Sequence, residues 1–189
     1  MDQRVVVVDA PSPIVSWDEM KTHGKIEEES EKTYVETLIE AATGWIDGPT
    51  GWLGRTLGVQ VLELRLDDWP CSFSDLPYGP IIEIVSVVYV DAEAVEHAID
   101  VDGLSDDFDF PSVRGRPGDV RIRYRAGYGV LNDATPPKWV NAPPAAIKVA
   151  VMMIVSEWYE SRSPVTVGSS VDELPIGPQM LLQPYRIYR

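Results

Sequence analysis

The hydrophobic pattern along the chain changes period twice, and its first and last segments are helical. Apolar residues three and four positions apart predict a helix at about 31–47, which the glycine and proline of "GPTG" at 48–51 end. These residues are Val35, Leu38, Ile39, Ala42 and Ile46. Ahead of this helix, Ser16 and Glu19 form a capping-box pattern, which predicts a short helix at about 16–24.

A third helix is predicted at about 145–162, after the proline-rich loop "NDATPPKWVNAPP", in which Pro143 or Pro144 can occupy the first helical turn. Its residues are apolar on nearly every face from Ile147 to Val155. A helix of this kind has to be buried, either in a core or against neighbouring subunits.

Alternating apolar and polar residues predict three strands between the helices, at about 57–69, 80–91 and 119–126. In the last of these, the apolar side chains face one side of a sheet and the arginines face the other, because successive side chains of a strand alternate. The two sets are Val120, Ile122 and Tyr124, and Arg121, Arg123 and Arg125.

This order of elements predicts an α+β protein, with a helical part, an inserted antiparallel β-sheet and an extended C-terminal arm. The length of 189 residues and the hydrophobic content of 44% are those of one domain with a real core. We divide the chain into an N-terminal segment at 1–13, a single α+β domain at 14–163, a linker at 164–173 and the arm at 174–189.

The formal net charge of −14 narrows the possible functions. Such an acidic excess keeps a protein soluble and argues against a sequence-reading DNA binder, whose surface is basic. No run approaches the eighteen apolar residues of a membrane span, and the four valines near the start are too few for the core of a secretory signal. The single cysteine excludes an internal disulfide and makes an intracellular environment the default.

Motifs that carry catalytic chemistry are hard to find. His23 and His97 stand in polar contexts without metal-binding spacing, and we expect Cys71 in "WPCSF" to be a buried or semi-buried structural thiol. The stretch "GPTGWLGRT" is similar to a phosphate loop, but Pro49 and Arg55 replace the required glycine and lysine. A glycine-punctuated turn between helix and strand is the better interpretation.

The segment 91–109 contains eight acidic residues and no lysine or arginine, which indicates strand ends joined by a solvated loop. Its aspartates could bind a divalent cation, but a glycine follows Asp102 directly and no glutamate closes a calcium loop. We therefore expect no metal. The aspartates concerned are Asp100, Asp102, Asp106, Asp107 and Asp109.

Two groups of side chains are candidates for subunit contacts. We expect the arginines at 121, 123 and 125 to pair with an acidic surface, either of their own chain or of a neighbour. Trp158 and Tyr159 share a helical spacing with Ile154 and Val151, which favours a core or an interface over a cofactor site. We expect no catalytic residue and no cofactor.

Six stretches of the chain together resemble the head–tail connector (adaptor) proteins of tailed bacteriophages, and they are closest to the branch found in prophages and gene transfer agents. In order, they are "SWDEMKTHGKI", "IEAATGWIDGPTGWLGRTLGVQVLELRLDDWP", "LPYGPIIEIVSVVYVD", "VRIRYRAGYG", "PPAAIKVAVMMIVSEWYESRSPV" and "LPIGPQMLLQPYR". The resemblance covers roughly residues 14–186.

The resemblance implies a structural protein without enzymatic activity. Adaptors of this kind form a ring, by resemblance of twelve subunits, beneath the portal protein; they extend the DNA channel and hold the stopper or tail protein. Double-stranded DNA would pass through the lumen without sequence-specific binding, and no membrane would be involved. The implied location is the neck of a virion or phage-like particle, assembled in the bacterial cytoplasm.

The resemblance also assigns a role to the C-terminal arm "LPIGPQMLLQPYRIYR", which is apolar and basic although the body is acidic. It implies a portal-binding arm whose anchors are exposed in a free subunit and buried on the portal. The residues of this arm are Leu174, Ile176, Met180, Leu181, Leu182, Tyr185, Arg186 and Arg189. The alternative is that the tail packs as a short terminal helix on its own domain.

Two other classes of protein remain open. One is a different ring component of the neck or tail, such as a stopper or a tail terminator. The other is a small metal-dependent hydrolase, which would be favoured only if a metal stabilised the fold.

Overall fold

Four α-helices and seven β-strands make up the described part of the chain, which in this computed structural model comprises residues 4–73, 76–104, 111–116, 118–161 and 176–188. The helices are α1 (Trp17–His23), α2 (Lys32–Ile46), α3 (Ala145–Ser161) and α4 (Ile176–Leu182). The strands are β1 (Arg4–Asp9), β2 (Gln60–Leu66), β3 (Ile81–Val90), β4 (Glu96–Ile99), β5 (Val120–Ala126), β6 (Gly129–Leu131) and β7 (Trp139–Asn141). The predicted α+β class is confirmed.

Five strands form an antiparallel sheet in the order β1-β2-β5-β3-β4, so β5 lies at its centre. The predicted alternation of β5 is confirmed, because Val120, Ile122 and Tyr124 are fully buried on the inner face. The hydroxyl of Tyr124 donates a hydrogen bond to the carbonyl oxygen of Pro77 at 2.7 Å, which satisfies this buried polar group.

Strand β1 gives a structure to the N-terminal segment, for which the sequence predicts no element. It pairs antiparallel with β2, and Val5 lies opposite Leu64 on the inner face of the sheet. A register shift between Val7 and Asp9 ends the regular pairing. The four valines are therefore part of an edge strand.

The stretch "NDATPPKWVNAPP" is not only a loop, as the sequence predicts, because it contributes to the hairpin of β6 and β7. Asn132 shapes the turn: its side-chain oxygen accepts hydrogen bonds from the backbone N–H groups of Ala134 and Lys138. The side chain of Asn141 accepts from the N–H of Val59 at 2.7 Å, which fixes the hairpin beside β2.

The helices share one apolar cluster, and the inner face of the sheet forms a second one. The predicted capping box of α1 is confirmed: Ser16 Oγ accepts from the N–H of Glu19, and Glu19 Oε2 accepts from the N–H of Ser16. Along α3, the side chains of Ile147, Val151 and Ile154 are fully buried in the helical cluster. No helix among the described residues is both long enough and apolar enough to cross a membrane.

Candidate interaction surfaces

The C-terminal helix α4 packs on the helical cluster of its own domain, mainly against α3. Leu182 is fully buried there, and Leu181 and Tyr185 pack against the same cluster. The expectation that all anchors of the arm are exposed in a free subunit is therefore wrong for Leu182, and the alternative of a short terminal helix on the domain describes this part of the arm. Leu174 and Arg189 lie outside the described residues.

Two glycines allow the arm to approach the body closely. A Cβ atom at Gly54, whose φ is +63°, would lie 2.7 Å from the carbonyl oxygen of Ile187, and a Cβ at Gly177 would lie 2.8 Å from the terminal methyl of Met153. The N–H of Ile187 also donates a hydrogen bond to the carbonyl oxygen of Leu53 at 2.8 Å. The contact between arm and body is thus part of the fold.

The polar end of the arm is held by aromatic rings. The guanidinium carbon of Arg186 lies 4.0 Å from the ring centroid of Trp52 and 4.7 Å from that of Tyr188. At such distances, the negative face of an aromatic ring attracts a cation. Arg186 is therefore engaged within its own chain.

The opposite side of the arm presents apolar side chains to solvent. Ile176, Met180 and Tyr188 are 76%, 72% and 68% exposed, respectively. Isolated exposed apolar residues are common, but here three of them belong to one short segment. This outer side of α4 and of the residues after it is the part of the predicted arm that a partner could bury.

The arginine face of β5 pairs with acidic residues of its own chain. Arg121 forms an ion pair with Glu96, the Nε atom of Arg123 lies 2.7 Å from Glu63, and the Nε atom of Arg125 lies 2.7 Å from Glu83. The prediction that these arginines meet an acidic surface is confirmed, and the surface belongs to the same subunit. Their contact with a neighbouring subunit remains a prediction.

Glu63 is the acidic residue that organises this face, and the sequence alone does not single it out. Its side chain is only 4% exposed, and it accepts from both Arg123 and Arg65. Burial raises the pKa of Glu63, but the hydrogen bonds from the two guanidinium groups outweigh this effect and hold the pKa below its usual range. Glu63 is therefore ionised in the folded protein at neutral pH.

The aromatic candidates on α3 pack within the helical part of the subunit. Trp158 stacks on Trp45 with ring centroids 5.9 Å apart, and Tyr159 lies against Tyr34 at 6.2 Å. Trp158 and Tyr159 are half-buried. The role of both residues between subunits remains a prediction.

Asp47 is a buried acidic residue at the junction of the two cores, which sequence reasoning did not find. One carboxylate oxygen accepts from the N–H of Leu57 at 2.6 Å, and the other accepts from the N–H of Gly58 at 3.4 Å. Burial raises the pKa of Asp47 to about 6, although these N–H groups favour the charged form. The carboxyl group thus joins the end of α2 to the start of β2 and is engaged in structural contacts.

The remaining candidates show no catalytic arrangement. Cys71 is exposed, so the expectation of a buried or semi-buried thiol is wrong. The Nε2 atom of His97 lies 2.6 Å from Asp91 and its ring stacks on Tyr89, whereas His23 is an exposed residue at the end of α1. Among the described residues, no three His, Cys, Asp or Glu side chains are grouped to hold a metal ion.

The glycine-containing stretch after α2 and the acidic segment at 91–109 are the two remaining candidates. The stretch "GPTGWLGRT" is a turn, as predicted, in which the N–H of Gly48 donates to the carbonyl oxygen of Arg55 at 2.9 Å. In the acidic segment, Asp100 accepts from the N–H of Asp102 and begins a single 3-10 turn. Asp106, Asp107 and Asp109 lie outside the described residues.

Comparison with known proteins shows where this fold occurs. No protein-family model matches the chain, and none of the curated proteins does. Similar solved chains come from the neck of an empty gene transfer agent particle computed with C6 symmetry (20% identity, TM-score 0.70), the virion of a native gene transfer agent particle (19%, 0.63) and the neck of a native particle computed with C12 symmetry (20%, 0.61). Each match covers 98% of this chain and 96% of the other chain.

At about one-fifth identity, this likeness shows the fold. The chain therefore has an α+β fold that also occurs in the neck of gene transfer agent particles. Because nearly the whole of both chains is matched, the likeness includes the sheet as well as the helices.

Proposed function

We propose that this protein is a structural head-to-tail adaptor of a phage or phage-like particle, which forms a ring under the portal, extends the DNA channel and joins head to tail. The observation that carries the proposal is the near-complete match to chains from gene transfer agent particles, two of them from necks computed with cyclic symmetry. The absence of a matched family model makes this likeness of fold the main support.

The contact with the portal is assigned to the outer side of the C-terminal arm. Its exposed Ile176, Met180 and Tyr188 can be buried on a partner without disturbing Leu182, which holds the arm on its own domain. A helix that is already formed loses less conformational entropy on binding than a disordered peptide does. The portal would therefore bind a preformed surface.

The test is binding of the purified chain to isolated portal rings. We expect Met180→Asp and Ile176→Asp to weaken binding at least tenfold, because a charge would enter a buried apolar contact. Val130→Asp is the matched control, since Val130 is exposed on the β6–β7 hairpin. Equal binding by all variants would contradict the assignment of the contact to the arm.

The same assay separates the adaptor from other neck and tail components. A stopper would bind an adaptor ring, and a tail terminator would bind tail-tube subunits, so either would fail to bind the portal directly. Electron microscopy of portal complexes would then show whether a ring of this chain lies directly beneath the portal. Portal complexes without such a ring would overturn the adaptor proposal.

A further inference from the structure

Both edges of the five-stranded sheet lack a strand neighbour within the part of the chain that the structure describes. Strands β1 and β4 lie at its two ends, and no further strand pairs with their outer edges among the described residues. On β1, Val7 and Val8 are exposed. An exposed strand edge with a run of valines is a template for pairing with another chain, and natural proteins usually cover or charge it.

The inner faces of the two edges match each other. Val5 of β1 and Ile99 of β4 pack against the same apolar cluster, at opposite ends of the sheet. If the edge of one subunit meets the opposite edge of another, these two residues continue the apolar inner layer across the junction. Val7 on β1 and His97 on β4 also face the inner side of the sheet.

At the starts of β1 and β4, the outer faces of the two edges carry opposite charges. Arg4 of β1 is exposed, and no ion pair holds it among the described residues, whereas Glu96 and Asp100 line the outer face of β4 and its end. Glu96 already pairs with Arg121, but its side chain is 61% exposed and keeps free acceptor capacity. The positive charge of Arg4 at the start of one edge therefore matches the negative charge of Glu96 at the start of the other.

We propose that β1 of one subunit adds to β4 of the next subunit as a parallel strand, so that the sheets join edge to edge around the ring. The direction follows from the topology: the five strands alternate in direction, so the first and the fifth run the same way. Placing Arg4 beside Glu96 brings Val6 beside Ala98 on the outer face. Different patches meet at each junction, and such head-to-tail contacts close into a ring when the rotation between neighbouring subunits permits it.

This inference rests on the ring of the proposed function, and engineered cysteines test it. In a Cys71→Ser background, the chain would carry Val6→Cys and Ala98→Cys. Within one subunit these positions are separated by four strand intervals, about 19 Å, whereas a disulfide requires Cα atoms within about 7 Å. Any bridge between the two cysteines must therefore join two subunits.

We expect oxidation, or a short bismaleimide, to convert assembled rings with portal bound into a ladder of covalent oligomers on denaturing gels. Each single-cysteine variant should give dimers at most. A chain with Val6→Cys and Glu27→Cys, whose second cysteine lies outside the sheet, is the matched control and should not give the ladder.

The possible results separate the two proposals. Rings that are visible by electron microscopy but give no ladder would overturn the edge-to-edge contact and leave the adaptor proposal standing. A chain that neither forms rings nor binds the portal would overturn both. A ladder without portal binding would support the edge contact and remove the adaptor assignment.

Discussion

At the scale of single residues, two buried carboxylates behave in opposite ways because their partners differ. Glu63 is held by two guanidinium groups, which keep its pKa below the usual range. Among the described residues, the partners of Asp47 are backbone N–H groups and the amide of Gln60, and burial dominates and raises its pKa to about 6. Glu63 therefore stabilises the folded state most when it is ionised, and Asp47 stabilises it most when it is protonated.

We expect the free energy of unfolding to rise as the pH falls from about 7 to about 5, by about 1 kcal/mol from Asp47 alone. Its pKa is higher in the folded state than the ordinary value of 3.8, so its stabilisation is fully present below that value and is lost as the pH rises through about 6. Urea unfolding at both pH values measures this change. The Asp47→Asn variant should lack most of this increase in the free energy of unfolding. If the variant shows the same increase as the wild type, the increase comes from other acidic residues.

We expect Glu63→Gln to lower the free energy of unfolding by about 1–2 kcal/mol, because two arginines lose a buried, charged acceptor. Glu83→Gln is the matched control: Glu83 also pairs with an arginine of β5, but its side chain is 46% exposed. Exposed ion pairs contribute less than about 1 kcal/mol. Equal losses in the two variants, measured by chemical denaturation, would show that burial of Glu63 does not strengthen its pairs.

At the scale of secondary-structure elements, the arm is a stability element as well as a candidate contact. Its inner side contains Leu182 in the helical core, and its outer side contains Met180 in solvent. Leu182 thus represents the role in stability, and Met180 represents the candidate contact with a partner. Deleting the whole arm would remove both at once, so point variants are the better experiment.

We expect Leu182→Ala to lower the free energy of unfolding by about 2–5 kcal/mol, as for other fully buried leucines. Met180→Ala should change it by less than about 0.5 kcal/mol, as expected for a surface site. Thermal denaturation of the two variants measures the difference. If Leu182→Ala melts like the wild type, the arm is not docked on its domain in solution.

The elements differ in how far the sequence predicts them, and the reason is the range of their contacts. The capping box of Ser16 and Glu19 and the alternation along β5 are local patterns, so the sequence predicts both. Strand β1 depends on a partner far along the chain, β2, which a local pattern does not reveal. Strands β6 and β7 pair with each other, but each has only three residues, too few for an alternating pattern to stand out.

The arm shows a different limit of sequence reasoning. Its apolar residues predict that it is buried on some surface, but they do not indicate whose surface. The close approaches at Gly54 and Gly177 decide in favour of its own domain for the inner side. Such contacts depend on how α4 and the end of the chain meet the body in three dimensions.

At the scale of the whole molecule, acidic charge is in excess while the arginines of the outer sheet face are already paired. The chain carries a formal net charge of −14, and Arg121, Arg123 and Arg125 each hold an acid of their own subunit. Subunits that approach one another therefore repel at long range. Assembly has to depend on apolar and backbone contacts at short range.

We expect ring assembly to strengthen when the salt concentration rises from about 20 mM to about 200 mM, because the screening length falls to about 7 Å and repulsion between the acidic subunits weakens. The attraction between Arg4 and Glu96 at each junction is weaker than the repulsion between subunits that each carry a net charge of −14. Sedimentation velocity at constant protein concentration measures this dependence. Replacing the exposed Glu27 and Glu28 by glutamine should reduce it. Assembly that instead weakens steadily with salt would show that attraction between opposite charges dominates, and the arginines of β5 would then contact acids of a neighbouring subunit.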